Sequence, residues 1–243
     1  MIKNPKVSVV IPTFNRFEYL IHALDSVASQ TYKNIEIVIV NDGSDDQRYY
    51  TDSFKKNKKI VNLEKNQKII HGFGPGSIRN FGIDVAEGDY IAFLDDDDIW
   101  LDHKLEFQIE KLSKSEFKMS NSDAFIGEGK FNSNQRYPSY LYDYYFKKNK
   151  ERMYGKSFNY YFKKYQYPKY WDFKTLARSN PIITSTVIIE ANLLNQIGGF
   201  RNLPFAADLD CWKAVLQLTK SIFIDEPLIY YDNNHGTGRQ YIK

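Results

Sequence analysis

Two short β-branched runs, Val7–Phe14 (VSVVIPTF) and Ile35–Val40 (IEIVIV), constrain this chain more than any other feature. Nearly unbroken apolar runs of this length predict strands buried on both faces, as in a parallel sheet covered by helices. The intervening segments supply the helices. Phe17, Leu20, Leu24, Val27 and Ala28 share one helical face, with Asn15 as the expected cap and Glu18 completing a box-like pair. A polar helix is expected from about Asp45 to Lys56, and a weaker strand over Lys59–Leu63. Ile78, Gly82, Val85 and Ala86 give a third helical stripe, and Tyr90–Leu94 (YIAFL) a fourth strand. Another helix follows from about Asp102, with Leu105, Ile109 and Leu112 inward. This β-α-β-α-β-α-β order predicts an α/β chain with a mostly parallel sheet flanked by helices.

The second half is less regular. Tyr137 to Trp171 holds eleven of the nineteen tyrosines, interleaved with Lys147, Lys148, Lys150, Lys163 and Lys164. Thr184–Ile189 reads as a strand, Glu190–Ile197 as a short helix stopped by Gly198-Gly199, Asp208–Thr219 as a helix and Ser221–Tyr231 as a strand. Neither repeats nor linkers interrupt the chain, so residues 1–243 are expected to form one domain with two functional halves, 1–112 and 113–243.

Composition narrows the class. A net charge of +3 without a basic stripe argues against a dedicated nucleic-acid binder. Cys211 is the sole cysteine, so no intrachain disulfide forms, which suits a reducing compartment. The first six residues lack the apolar stretch of a signal peptide, and no window approaches the ~18 apolar residues of a membrane span. A soluble, cytoplasmic protein is expected, with peripheral membrane contact left open.

In open α/β sheets, ligands bind beyond the carboxyl ends of the strands. Two of those ends here are acidic. Asp95-Asp96-Asp97-Asp98 follows the fourth strand, and four adjacent carboxylates repel unless a cation or hydrogen bonds offset them. Mg²⁺ or Mn²⁺ held by one or two carboxylates plus phosphates and water fits such a run; acids placed at a helix start suit Asp98 and Asp102 as the alternative. Asp42 ends the second strand, either to bond a base or ribose or as half of an Asp-Gly turn. Arg79 and Asn80 open a helix after a glycine-rich loop, Gly72–Ser77, where a diphosphate would be welcome. That loop lacks the spacing of a dinucleotide fingerprint, which excludes a Rossmann dehydrogenase. Asp208 and Asp210 suit a general base or a plain helix cap, and His235 a metal or phosphate contact or no role at all.

Taken in order, Val7–Arg16 (VSVVIPTFNR), Asn41–Asp45 (NDGSD), Arg79-Asn80, Tyr90–Trp100 (YIAFLDDDDIW), Gly198-Gly199-Phe200 and Asp208–Trp212 (DLDCW) resemble family 2 glycosyltransferases of the GT-A fold. The resemblance spans nearly the whole chain apart from about 115–175. It implies a GT-A-type sheet with a donor-binding first half and a less regular acceptor-side second half. It also implies a UDP-type nucleotide-sugar donor, a divalent Mn²⁺ or Mg²⁺ and inversion at the anomeric carbon. By position, Pro12, Thr13, Phe14, Asn15 and Arg16 fall in the donor-binding segment, with Thr13 and Phe14 at the base. Asp42 would bond the base, and Arg79 the base or diphosphate. The family's DXD motif maps onto Asp95–Asp97: Asp96 or Asp95 would touch ribose and Asp97 would hold the metal. Asp208 matches the catalytic base, Asp210 the acid two residues on, and His235 a C-terminal loop histidine near metal and phosphate. Ala207, Cys211 and Phe14 depart from common family choices without removing a required carboxylate. The Gln-x-x-Arg-Trp signature of processive synthases is absent, which implies single transfers. The acceptor, whether glycan, lipid-linked or protein, is not readable. A non-catalytic nucleotide- or sugar-binding module is the alternative. A sugar nucleotidyltransferase is disfavoured because Pro12–Arg16 is not the glycine-rich loop it needs.

Overall fold

The computed structural model describes residues 4–72, 75–149, 166–177 and 180–234. Its strands are β1 (Val7–Thr13), β2 (Ile35–Asn41), β3 (Lys59–Asn62), β4 (Tyr90–Phe93), β5 (Ile99–Trp100), β6 (Met119–Gly127), β7 (Tyr170–Trp171), β8 (Ile188–Glu190) and β9 (Ser221–Asp232). The helices, numbered over the described residues, are α1 (Phe17–Ala28), α2 (Asp52–Lys55), α3 (Gln67–His71), α4 (Pro75–Ile83), α5 (Lys104–Ser113), α6 (Ala191–Ile197) and α7 (Ala207–Val215).

The strands form one sheet in the order β3-β2-β1-β4-β8-β6-β9-β5, with β7 also on β9. The first four are mutually parallel, as their apolar runs require. Beyond β4 the sheet is mixed: β8 is antiparallel to both β4 and β6, while β6 and β9 run parallel. This mixed, helix-covered sheet is what the resemblance to GT-A enzymes implies. Alternation along β1 sends Val7, Val9 and Ile11 to one side, against Leu20, Leu24 and Val27 of α1 and Leu105 and Ile109 of α5. Val10 points to the other, with Ile78 of α4, Leu193 of α6, and Trp212 and Val215 of α7. Among the described residues, no helix is long and apolar enough to cross a membrane.

Three local expectations are corrected. Residues 45–56 form a 3₁₀ turn (Gln47–Tyr50) and the single turn α2, because Asp46 accepts from Arg48 N–H and Thr51 from Phe54 N–H, each restarting the chain. Asn15 does not cap α1; Arg16 holds that position and makes no side-chain cap. Asn15 instead takes a left-handed φ of 50°. It accepts from Asp45 N–H at 2.9 Å and donates its own N–H to Ser44 Oγ at 2.9 Å, lacing the β1 and β2 loops together. Glu18 accordingly pairs with Arg48 rather than closing a box.

At the far end of the sheet Glu36 is clamped by Lys6, Lys59, Ser8 Oγ and Glu87 N–H. Burial alone would raise its carboxyl; the Glu87 N–H, the two ammonium groups and the hydroxyl outweigh that and hold it at about 2. A depressed carboxylate stabilises the fold above its unfolded value near 4.5, and the contribution disappears as pH falls through about 2. Glu36→Gln is expected to cost about 1–2 kcal/mol at pH 7, less than the shift alone implies because the lysines are about a third exposed and screened. Urea melts between pH 7 and 2 check this: the gap to wild type should close with acid.

Candidate active site

Parallel pairing places the carboxyl ends of β1, β2 and β4 on one edge. There Thr13 O accepts from Asp42 N–H at 2.9 Å. The Thr13 hydroxyl meets Tyr49 OH at 2.9 Å, and that phenol accepts from Arg16 N–H at 3.0 Å. Pro12 and Phe14 are partly exposed at this lip. Asp42 is 5% exposed and already accepts from Asn66 Nδ2 at 2.8 Å and Gln67 N–H at 2.9 Å. It therefore also anchors the start of α3, and burial raises its carboxyl to about 6.

The four aspartates after β4 divide their work. Asp95 takes an ion pair from Arg79, and its N–H donates to Ser185 Oγ at 3.0 Å. Arg16 bridges the next two: Nη1 lies 3.1 Å from Asp96 Oδ1, and Nη2 donates to Asp97 Oδ2 at 2.8 Å. Asp98 is fully buried and accepts from Ser185 Oγ and Asp232 N–H, tying β4 to the 184–186 turn and the end of β9. The helix-start alternative fails for it, since α5 begins only at Lys104. Burial raises Asp96, Asp97 and Asp98 together; Arg16 counteracts this for the first two, and the neighbouring aspartates add to it for all three.

This cluster is short of positive charge. Asp96 Oδ2 is buried without a hydrogen-bond partner, a cost that a cation would remove. Among the described residues no three His, Cys, Asp or Glu side chains form a complete cage. The residues thus fit an ion such as Mn²⁺ or Mg²⁺ that takes one or two carboxylates and completes its shell with phosphates and water. His235 lies outside the described residues, as do Phe73 and Gly74 of the glycine-rich loop and residues 150–165 of the Tyr/Lys-rich segment. A cavity of about 890 Å³ opens beside Asp97, between α1 (Tyr19, His22), Trp100, Phe131 and Asp232.

Asp208 lies in the first turn of α7, which two tight packings seat against α4. A Cβ on Gly76 would lie 2.5 Å from Ala207 Cβ, so the first turns of α4 and α7 touch. Gly199, at φ +69°, leaves room for Asn80, whose amide donates to Phe200 O at 2.7 Å and accepts from Phe200 N–H at 2.9 Å. Asn80 thus clamps the loop before α7 and is engaged in holding Phe200, whereas Arg79, beside the Phe200 ring, faces Asp95. The two α7 aspartates differ: Asp210 is held bidentately by Arg201, while Asp208 accepts from Asn180 Nδ2 at 2.8 Å. Tyr140 and Tyr231 pack edge to face, centroids 5.7 Å apart. Burial raises both phenols; Asp208 adds to the rise at Tyr140, and Asp98, Asp97 and Asp95 at Tyr231. Tyr49, Ser185 and Asn180 belong to no chemistry-bearing motif in the sequence. Only the Asn180-Pro181 pair carried a signal, a rigid extended dipeptide just upstream of a strand.

Residues 8–170 match the family model described as glycosyl transferase family 2. The chain belongs to this family. A family relative, an uncharacterized glycosyltransferase of Rickettsia typhi, is 32% identical over 232 residues, covering 93% of this chain and 63% of its own length. Across the first curated relatives, this chain spans from 17% to 63% of their length. The crystal structure of S. aureus TarS 1-349 in complex with UDP is similar at a TM-score of 0.66 and 22% identity, covering 93% of this chain and 60% of that one. The mannosyltransferase PcManGT from Pyrobaculum calidifontis, in complex with GDP-Man and Mn²⁺, gives 0.65 and 16%, covering 98% and 59%. At these identities the structures speak for the fold.

Proposed function

We propose that this family 2 glycosyltransferase transfers a single sugar from a UDP-sugar to an acceptor hydroxyl with inversion, using Asp208 as general base. The observation that carries the reading is the buried, under-neutralised run Asp95–Asp97 between Arg16 and Arg79; support comes from α7, which bears Asp208 in its first turn and packs that turn on the start of α4. The S. aureus neighbour solved with UDP supports the choice of nucleotide.

In this reading residues 1–112 hold the donor and 113–243 supply the acceptor side and the base. Thr13, Phe14 and the Asp42 carboxylate meet the base, and Asp95 or Asp96 the ribose. Asp97, with Asp96 beside it, would hold the divalent cation, which when bound neutralises charge on the leaving diphosphate. Arg79 and Arg16 add fixed positive charge at the same edge. Asp208 accepts the acceptor's hydroxyl proton as that oxygen bonds to the anomeric carbon. The bond to the diphosphate oxygen breaks on the opposite face, and the diphosphate leaves with the electron pair. One displacement inverts the centre.

The test is nucleotide release from UDP-glucose, UDP-GlcNAc and GDP-mannose, each with and without Mn²⁺. Release from a UDP-sugar that Mn²⁺ stimulates is expected. No release from any donor under either condition would leave the catalytic reading without support.

A further inference from the structure

We propose that Asn180 is the residue that positions the Asp208 carboxylate for proton transfer. The proposal rests on the reading of Asp208 as the base and adds a second residue to that step. Asn180 Nδ2 donates to Asp208 Oδ2 at 2.8 Å across 28 positions of sequence. The orientation of its amide is fixed independently: Asn180 Oδ1 accepts from Ile182 N–H at 3.2 Å, so the NH₂ end must face the carboxylate. Its backbone is fixed as well. Pro181 confines the preceding residue to extended geometry, and Pro181, Ile182 and Ile183 are all buried.

Asp208 needs such a partner. It sits in the first turn of α7, whose preceding residue, Ala206, holds a left-handed φ of 55° and offers no side-chain cap. Asn180 holds Asp208 Oδ2, and among the described residues no other hydrogen bond to this carboxylate is found. Asp210 shows the contrasting case, with both oxygens taken by Arg201. A carboxylate released from its partner samples other rotamers, and a displacement near 1 Å costs on the order of 100-fold in rate.

Four variants test this: Asp208→Asn, Asn180→Ala, Asn180→Gln and the double variant Asn180→Ala/Asp208→Asn. The readouts are UDP release from the donor selected above with water as acceptor, donor KM, UDP affinity and the thermal midpoint. Asn180→Ala should lower kcat by about 10- to 100-fold, with donor KM and UDP affinity within about twofold of wild type. Asn180→Gln, which keeps the amide donor, should recover part of the loss. The double variant should be no slower than Asp208→Asn, since Asn180 acts only through that carboxylate. Wild-type kcat in Asn180→Ala beside an inactive Asp208→Asn would overturn the positioning role alone. So would equal losses of kcat and UDP affinity, or additive losses in the double variant. Wild-type turnover in Asp208→Asn would instead overturn the base assignment itself.

Discussion

Asp208→Asn is expected to lower sugar transfer by about 10³-fold, within the range for removal of a general base, while UDP binding stays within about twofold of wild type. The asparagine keeps the shape of the side chain and can still meet Asn180 through its carbonyl oxygen, so α7 and its contact with Gly76 should persist. What disappears is the group that receives the acceptor proton. Asp210 cannot replace it, because Arg201 occupies both of its oxygens. The check is steady-state transfer alongside calorimetric titration of UDP. A fall in kcat with unchanged UDP affinity separates a lost base from a damaged donor site.

Asp97→Ala is expected to act on the other half of the reaction. In the presence of Mn²⁺ its UDP affinity should fall by about 100-fold or more, since even partners outside the coordination shell are worth 10- to 100-fold in metal affinity. Without metal, wild type and variant should bind UDP alike. The fold should survive, because burial already disfavours the Asp97 charge and Asp96 remains to pair with Arg16. Titrating UDP with and without Mn²⁺ gives all four affinities. An unchanged Mn²⁺ enhancement in the variant would remove Asp97 from the metal site.

The parallel half of the fold was legible because its strands are continuous apolar runs and its helices carry an apolar stripe, as in β1, β2, α1 and α5. The mixed half was not. Strand β6 buries Ser120, Asn121, Ser122 and Asp123, which no hydrophobic pattern reveals. Remote groups meet three of them: Gln108 reaches Ser120, Ser221 reaches Asn121 Oδ1, and Ser139 and Leu141 N–H reach Asp123, while Ser122 bonds the adjacent Asp123 carbonyl. Lys104 is similarly hidden, fully buried with Gln108 Oε1 at 2.6 Å and the Trp100 ring at 4.0 Å.

The site divides along the same line. That Asp95–Asp98 needs compensating partners follows from four adjacent charges behind an apolar strand, and Arg79, Arg16 and Ser185 supply part of that compensation. That Asp98 ties β4 to the 184–186 turn depends on Ser185, 87 positions away. The choice between Asp208 and Asp210 depends on Arg201, and Asp42's second task on Asn66 and Gln67. Local spacing identifies acidic groups; only the tertiary partners say which of them are already spoken for.

In the proposed site Asp97 and Asp208 flank one nucleotide-sugar, Asp97 holding the divalent ion and Asp208 facing the acceptor. Anomalous diffraction at the manganese edge, from crystals grown with UDP and Mn²⁺, addresses it directly. The prediction is one manganese peak in contact with the Asp97 carboxylate and the UDP phosphates, with the base at the Thr13–Asp42 edge and Asp208 facing the β-phosphate side. UDP bound on another surface, or a manganese peak away from Asp95–Asp97, would contradict it.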